Sequence, residues 1–136
     1  MLIRIDHIGI AVDDLDAAIA LYEQQFGMAL VHREIAEGPG LELVLLGIGE
    51  SHVELLAPVR DDAMISGYLA EHGPGLHHVA YVTRDIEAEM ARLADEGMRL
   101  IDTEPRTGVR GSRIAFLEPD GTGHVLTELV QPATDE

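Results

Sequence analysis

The chain contains no cysteine, no lysine and no tryptophan. Without cysteine there is no disulfide, no thiolate nucleophile and no zinc–sulfur site. Without lysine there is no Schiff-base amine, no P-loop lysine and no lysine general base. All nine basic residues are arginine, so an anionic ligand must be met by arginine, by backbone N–H groups or by a metal. Two phenylalanines and no tryptophan argue against a stacking platform for bases or planar drugs. Positive charge is also scarce. Nine basic residues stand against 25 acidic ones, a net charge of −16, and such a field repels nucleic-acid phosphates and anionic membranes. No apolar run approaches the roughly 20 residues that span a bilayer. The opening Met-Leu-Ile-Arg-Ile-Asp-His runs directly into a strand, without signal-peptide anatomy. These absences imply a soluble, cytoplasmic protein with neither nucleic acid nor membrane as partner.

The 136 residues, 46% of them hydrophobic, suffice for one packed domain. That domain is internally duplicated. Asp-His-Ile-Gly-Ile-Ala-Val-Asp-Asp-Leu-Asp at 6–16 recurs 71 residues later as His-His-Val-Ala-Tyr-Val-Thr-Arg-Asp-Ile-Glu at 77–87. In the first repeat (1–58), alternation predicts a strand over 3–12. Asp13-Asp14 then caps a helix whose inward face is Leu15, Ala18, Ile19 and Tyr22. Gly27 stops the helix, a strand follows near 28–33, and Gly38-Pro39-Gly40 turns the chain. Leu41–Leu46 and His52–Leu56 form a hairpin. After a connector (59–76) with a helical stretch at Ala63–Glu71, the second repeat (77–132) follows the same plan. It has a strand at 77–83, a helix from Asp85 to Gly97 with Ile86, Met90 and Leu93 inward, and strands at 98–102, 113–117 and 124–130. The last two flank the turn Pro119-Asp120-Gly121-Thr122-Gly123. The loop 104–112 is rich in Gly, Pro and Arg, and the polar tail 131–136 is expected to be disordered. The fold class is therefore α+β. Two tandem βαβββ modules are expected to pair their edges into one curved mixed sheet with the helices outside and a metal-lined cleft within.

Each repeat opens with a histidine at the head of a strand, His7 and His78, and closes with a glutamate inside a strand, Glu54 and Glu128. Four residues matched in pairs across a repeat form the ligand set of a pseudo-symmetric metal site. Each glutamate sits between apolar neighbours, where an unpaired charge is costly and a cation removes the cost. Mixed nitrogen and oxygen ligands suit Co²⁺, Mn²⁺, Ni²⁺, Zn²⁺ or Fe²⁺. Strand alternation points His77 to the opposite face from His78. His32, His52, His72 and His124 have no pairing logic and read as structural or exposed.

The segments at 6–12, 54–58, 75–80, 99–106, 113–117 and 123–129 together resemble the vicinal oxygen chelate superfamily, which holds glyoxalases, bleomycin resistance proteins and dioxygenases. Within it they resemble the methylmalonyl-CoA epimerases, over about residues 1–130. The resemblance places the family's metal ligands on His7, Glu54, His78 and Glu128, with Co²⁺ the leading ion. It implies proton removal from, and return to, the carbon between a carboxylate and a thioester, through a metal-stabilised enolate. It also implies an acyl-CoA thioester substrate and a homodimer. Glu42, between apolar neighbours whose burial would raise its pKa, is the leading candidate for an acid–base group. Some relatives carry glutamate one position later, at Leu43 here. Arg106, Arg110 and Arg113 are candidates for binding coenzyme A phosphates or a second carboxylate, and Gly108 and Gly111 would make their loop a flexible cover. Glu118 departs from the epimerase pattern, which usually reads Phe-Leu-His-Pro-Lys there. The alternatives are a glyoxalase I-type lyase acting on a glutathione adduct and a non-catalytic ligand-sequestering protein. The intact quartet and the lack of tryptophan oppose the latter. An extradiol dioxygenase is disfavoured because such chains are usually longer.

Overall fold

A computed structural model describes residues 1–133. The chain divides into two compact units: one is His7–His77, the other Met1–Asp6 together with the residues from His78 onward. Among the described residues, three α-helices and eight strands follow the order expected for two βαβββ modules with a helical connector.

In the first unit the strands lie in the order β2 (Ala29–Ala36), β3 (Leu41–Ile48), β4 (Ser51–Pro58) and β1 (Leu2–Ala11, of which His7–Ala11 belong to this unit). β1 and β4 are parallel, and the other pairs are antiparallel. One face of this sheet carries Val44, Leu46, Val53, Leu55 and Ala57, which pack with Leu15 and Ile19 of α1 (Leu15–Phe26) into the unit's core. α1 begins where the sequence places it, because the Asp14 carboxylate accepts a hydrogen bond from the Ala17 N–H at 3.0 Å. It ends at Gly27, whose φ of 69° is left-handed. Ala18 and Tyr22 complete the inward face as partly buried residues. The β2 strand runs three residues beyond the predicted 28–33, to Ala36. The connector helix α2 spans Met64–His72.

In the second unit the order is β5 (Gly75–Thr83, of which His78–Thr83 belong to this unit), β8 (Thr127–Gln131), β7 (Arg113–Leu117) and β6 (Arg106–Thr107). Here β5 and β8 are parallel, while β7 runs antiparallel to both β8 and β6. Ile86 and Met90 of α3 (Ile86–Asp95) pack with Ala115 and Leu129, with Leu93 alongside. The N-terminus of α3 is capped twice. Asp85 accepts from the Ala88 N–H at 3.1 Å, and the Gln131 side-chain carbonyl accepts from the Ile86 N–H at 2.9 Å.

Three sequence expectations need correction. The strand predicted at 98–102 is reduced to an isolated bridge between Leu100 and Leu117. The Asp102 carboxylate takes the Phe116 N–H at 2.8 Å, so a side chain replaces the ladder partner that a continuous strand would supply. The last strand begins at Thr127 rather than 124, because Pro119–Gly121 forms a 3₁₀ turn and His124 takes a φ of 72°. Gln131, assigned to the tail, ends β8. Of the remaining predicted tail, Pro132 and Ala133 follow the strand without regular structure, and 134–136 lie outside the described residues.

Candidate metal centre

The strand registers explain why each repeat generates a histidine–glutamate pair. In the first unit Gly9 of β1 is the cross-strand partner of Glu54. His7, two residues earlier, points to the same face of the strand. In the second unit Ala80 of β5 partners Glu128, and His78 again lies two residues before it. The repeats thus place the same two residue types at the same offset in the same parallel pairing. His7 Nε2 lies 3.6 Å from Glu54 Oε1, and His78 Nε2 lies 3.0 Å from Glu128 Oε1. All four residues are buried, at 4–5% exposure. A buried carboxylate carries a desolvation penalty of several kcal/mol unless it is well compensated. A carboxylate and an imidazole side by side at such burial form a donor set that fits a divalent cation of borderline hardness.

The His78 ring is held by an aromatic neighbour. Phe116 of β7 is the cross-strand partner of Glu128. Its ring meets the imidazole edge-on with centroids 5.6 Å apart. The guanidinium of Arg106 lies 5.4 Å from the centre of the same ring, in cation–π range, and its Nε is 3.3 Å from Asp102 Oδ1. Phe116 escaped the sequence reading. Its signal was the antiparallel pairing of β7 with β8, which sets Phe116 beside the predicted ligand Glu128. His77 behaves as alternation predicts. Its ring packs edge-on against Tyr68 at 4.8 Å, while His78 faces Glu128.

The three arginines do not converge. Arg106 shares the face of Phe116 and Glu128, since it partners Ile114, two residues before Phe116. Arg113 points to the helix side, where it bonds Glu87 of α3 at 2.7 Å. Arg110 is exposed, with a φ of 58°. Nor is their loop a loose cover. The Gly108 N–H donates to the Ser112 carbonyl at 2.8 Å and the Ser112 N–H to the Val109 carbonyl at 3.1 Å. A Cβ on Gly108 would stand 2.6 Å from the Ile114 side chain, so glycine here permits close packing rather than motion.

Glu42 also lies apart from the histidine–glutamate pair. It partners Ala57 on the face that packs against α1, whereas Leu45 is the β3 residue opposite Glu54. Its carboxylate accepts from Arg33 Nε at 2.7 Å, and Arg33 also reaches Asp16 of α1 at 3.1 Å. These two carboxylates push the Arg33 guanidinium pKa above its ordinary value, the hydrogen bond from Glu42 contributing most. The expectation of an acid in an apolar pocket overlooked the arginine that β2 places beside it. Glu118 is half-buried next to the 3₁₀ turn. A cavity of about 540 Å³ in the second unit, lined by Leu2, Thr83, Asp85, Glu89 and Arg92 among others, holds none of the predicted site residues.

A duplicated βαβββ plan with a histidine–glutamate pair at the same register in each copy defines a class, and direct comparison agrees. The family model described as the glyoxalase/bleomycin resistance protein/dioxygenase superfamily matches residues 6–116, and the chain belongs to that family. Among its relatives, the ethylmalonyl-CoA/methylmalonyl-CoA epimerase of Cereibacter sphaeroides is 32% identical over 133 residues, covering 96% of this chain and 99% of the relative. A solved methylmalonyl-CoA epimerase in complex with methylmalonyl-CoA and NH4+ is 43% identical, with a TM-score of 0.96 over 100% of this chain and 99% of that one. A variant of the Streptomyces coelicolor methylmalonyl-CoA epimerase in complex with 2-nitronate-propionyl-CoA is also 43% identical, with a TM-score of 0.95 over 98% of this chain and 100% of that one. The expected fold is therefore the fold of these enzymes.

Proposed function

We propose that the chain epimerises methylmalonyl-CoA at C2, using a divalent ion held by His7, Glu54, His78 and Glu128. The observation that carries this reading is the duplicated pair of buried histidine and glutamate. It occurs in a chain whose whole length matches a methylmalonyl-CoA epimerase at 43% identity. The donor set fits the ion, because two imidazoles and two buried carboxylates need a positive charge more than they need each other. When bound, such an ion offsets the negative charge that grows on the thioester oxygen as the α-proton leaves.

The chain's own residues supply the rest. Phe116 fixes the plane of the His78 imidazole, so that one ring nitrogen stays directed at Glu128. Leu43 and Leu45, each 5% exposed on the Glu54 face, make an apolar floor that keeps water from a transient carbanion. Arg106, the one arginine of its cluster on the Glu128 face, is placed to meet the carboxylate or a phosphate of an acyl-CoA. Inversion then requires one group to accept the proton from one face of C2 and another to return a proton to the opposite face. Cobalt as the resident ion, a homodimer and a cytoplasmic location belong to the same reading.

The test is proton NMR in D₂O, with metal-loaded protein and a single epimer of methylmalonyl-CoA. The expected result is loss of the C2 proton signal together with appearance of the other epimer. The glutathione hemithioacetal of methylglyoxal, the substrate of a glyoxalase I-type lyase, should be inert. A protein loaded with each of the five candidate ions that neither exchanges nor inverts C2 would overturn the reading.

A further inference from the structure

The edge strand β2 carries a further imidazole–carboxylate pair, at a histidine that the sequence alone marks only as structural or exposed. His32 Nε2 and Glu34 Oε1 are 2.7 Å apart, with side-chain exposures of 31% and 34%. Their spacing of two residues sets both on one face of the strand. A register shift between Leu30 and His32 decides which face that is. Leu30 partners Leu46, but His32 partners Leu45, so one extra residue is inserted. Such bulges re-aim side chains. From His32 the cross-strand row runs through Leu45 to Glu54 and then Gly9. The neighbouring row runs from Glu34 through Leu43 to Leu56 and Ala11. His32 and Glu34 therefore lie on the face of the sheet that carries His7 and Glu54. They stand two strand spacings, or about 10 Å of backbone, from Glu54. In these rows Leu43 and Leu45 of β3 lie between them. Arg33 and Glu42, by contrast, are paired on the α1 side.

We infer that the His32 imidazole, oriented by Glu34, moves a proton at C2 on one face of the substrate in the reaction proposed above, on which this inference rests. With Nε2–H donated to Glu34, Nδ1 is the free base, the arrangement in which a carboxylate fixes both the tautomer and the direction of a catalytic imidazole. In the forward step the C2–H bond breaks, its electron pair moves towards the thioester carbonyl, and the proton passes to Nδ1. The resulting imidazolium is stabilised by Glu34. In the reverse direction the imidazolium returns the proton to C2. Glu34 is a positioning residue and His32 the acid–base group. On this face the strand register sets His32 beside Glu34 of its own strand and opposite the uncharged Leu45 of β3.

The experiment uses the metal-loaded full chain with each epimer of methylmalonyl-CoA in D₂O, following C2 exchange and inversion separately. His32→Gln is expected to keep wild-type metal content and to exchange the C2 proton of one epimer. It should invert either epimer at least about 100-fold more slowly. Exchange without inversion is a signature that general damage to the fold does not produce. Glu34→Gln is expected to lower kcat about 10-fold with KM unchanged. Inversion of both epimers by His32→Gln at the wild-type rate overturns the inference while leaving the epimerase reading intact. A wild-type protein inert towards both epimers overturns the epimerase reading, and the role of His32 with it.

Discussion

The ring of Phe116 meets the His78 imidazole edge-on, its centroid 5.6 Å away and its plane at 79°. An aromatic edge in that position limits rotation about the histidine's outer torsion and so fixes where its nitrogen lone pair points. Neighbours that orient a metal-ligating histidine typically matter by about 10–100-fold in metal affinity or activity. Phe116→Leu is therefore expected to weaken cobalt binding roughly 10-fold, measured by competition with a chelator. Unchanged affinity would show that the histidine needs no such support.

Glu42 leads to the opposite expectation. Its carboxylate is engaged with Arg33 on the helix side of β3. Glu42→Gln should keep both turnover and metal content within about twofold of wild type, since the pair is half-exposed and such pairs contribute little. A loss of kcat beyond about 100-fold would return the acid–base role to Glu42.

How much of this was legible beforehand depends on the kind of information each feature uses. The two histidine–glutamate pairs were legible because a repeat prints them twice, and because parallel pairing with an offset of two is a local property of each strand. The helix caps at Asp14 and Asp85 were legible for the same reason, since both bonds span three residues. Glu42 misled because its fate depends on Arg33, nine positions earlier and across a turn, and apolar neighbours in sequence point to the other face of a strand. The faces of the clustered arginines were not legible either, as seven residues of separation said nothing of which face Arg106 and Arg113 would take. The missing strand at 98–102 depended on one side chain, Asp102, capturing the N–H of Phe116, fourteen positions away. The His32–Glu34 pair was half legible. Its spacing was visible, but the register shift that turns it towards the Glu54 face was not.

A pH-dependent contribution to stability is built into α3. Glu89 is buried at 2% exposure and accepts from Arg92 at 2.5 Å and 3.2 Å, while the ammonium of Met1 lies 2.9 Å away. The hydrogen bonds from Arg92, aided by the ammonium and opposed by burial, hold its carboxyl below the ordinary carboxylate range. A depressed folded-state pKa contributes stability that is fully present above the unfolded value, about 4.3 for glutamate, and is lost as the pH falls through the folded value. Glu89→Gln should therefore lower Tm by roughly 3–8 °C at pH 6–7, where the ammonium is charged. Wild type and variant should converge as the solution is acidified below pH 4, followed by thermal unfolding. A gap that stays constant or widens in acid would contradict this.

The central claim is that both repeats serve one ion, and metal stoichiometry in paired variants tests it most directly. Purified wild type, His7→Ala and His78→Ala would each be equilibrated with cobalt, desalted and assayed by elemental analysis, with circular dichroism confirming the fold. The predicted result is one ion per wild-type chain and near-complete loss in either variant, because each histidine supplies one ligand to the same centre. Two ions per chain, or a variant that keeps its full complement with one histidine gone, would contradict it.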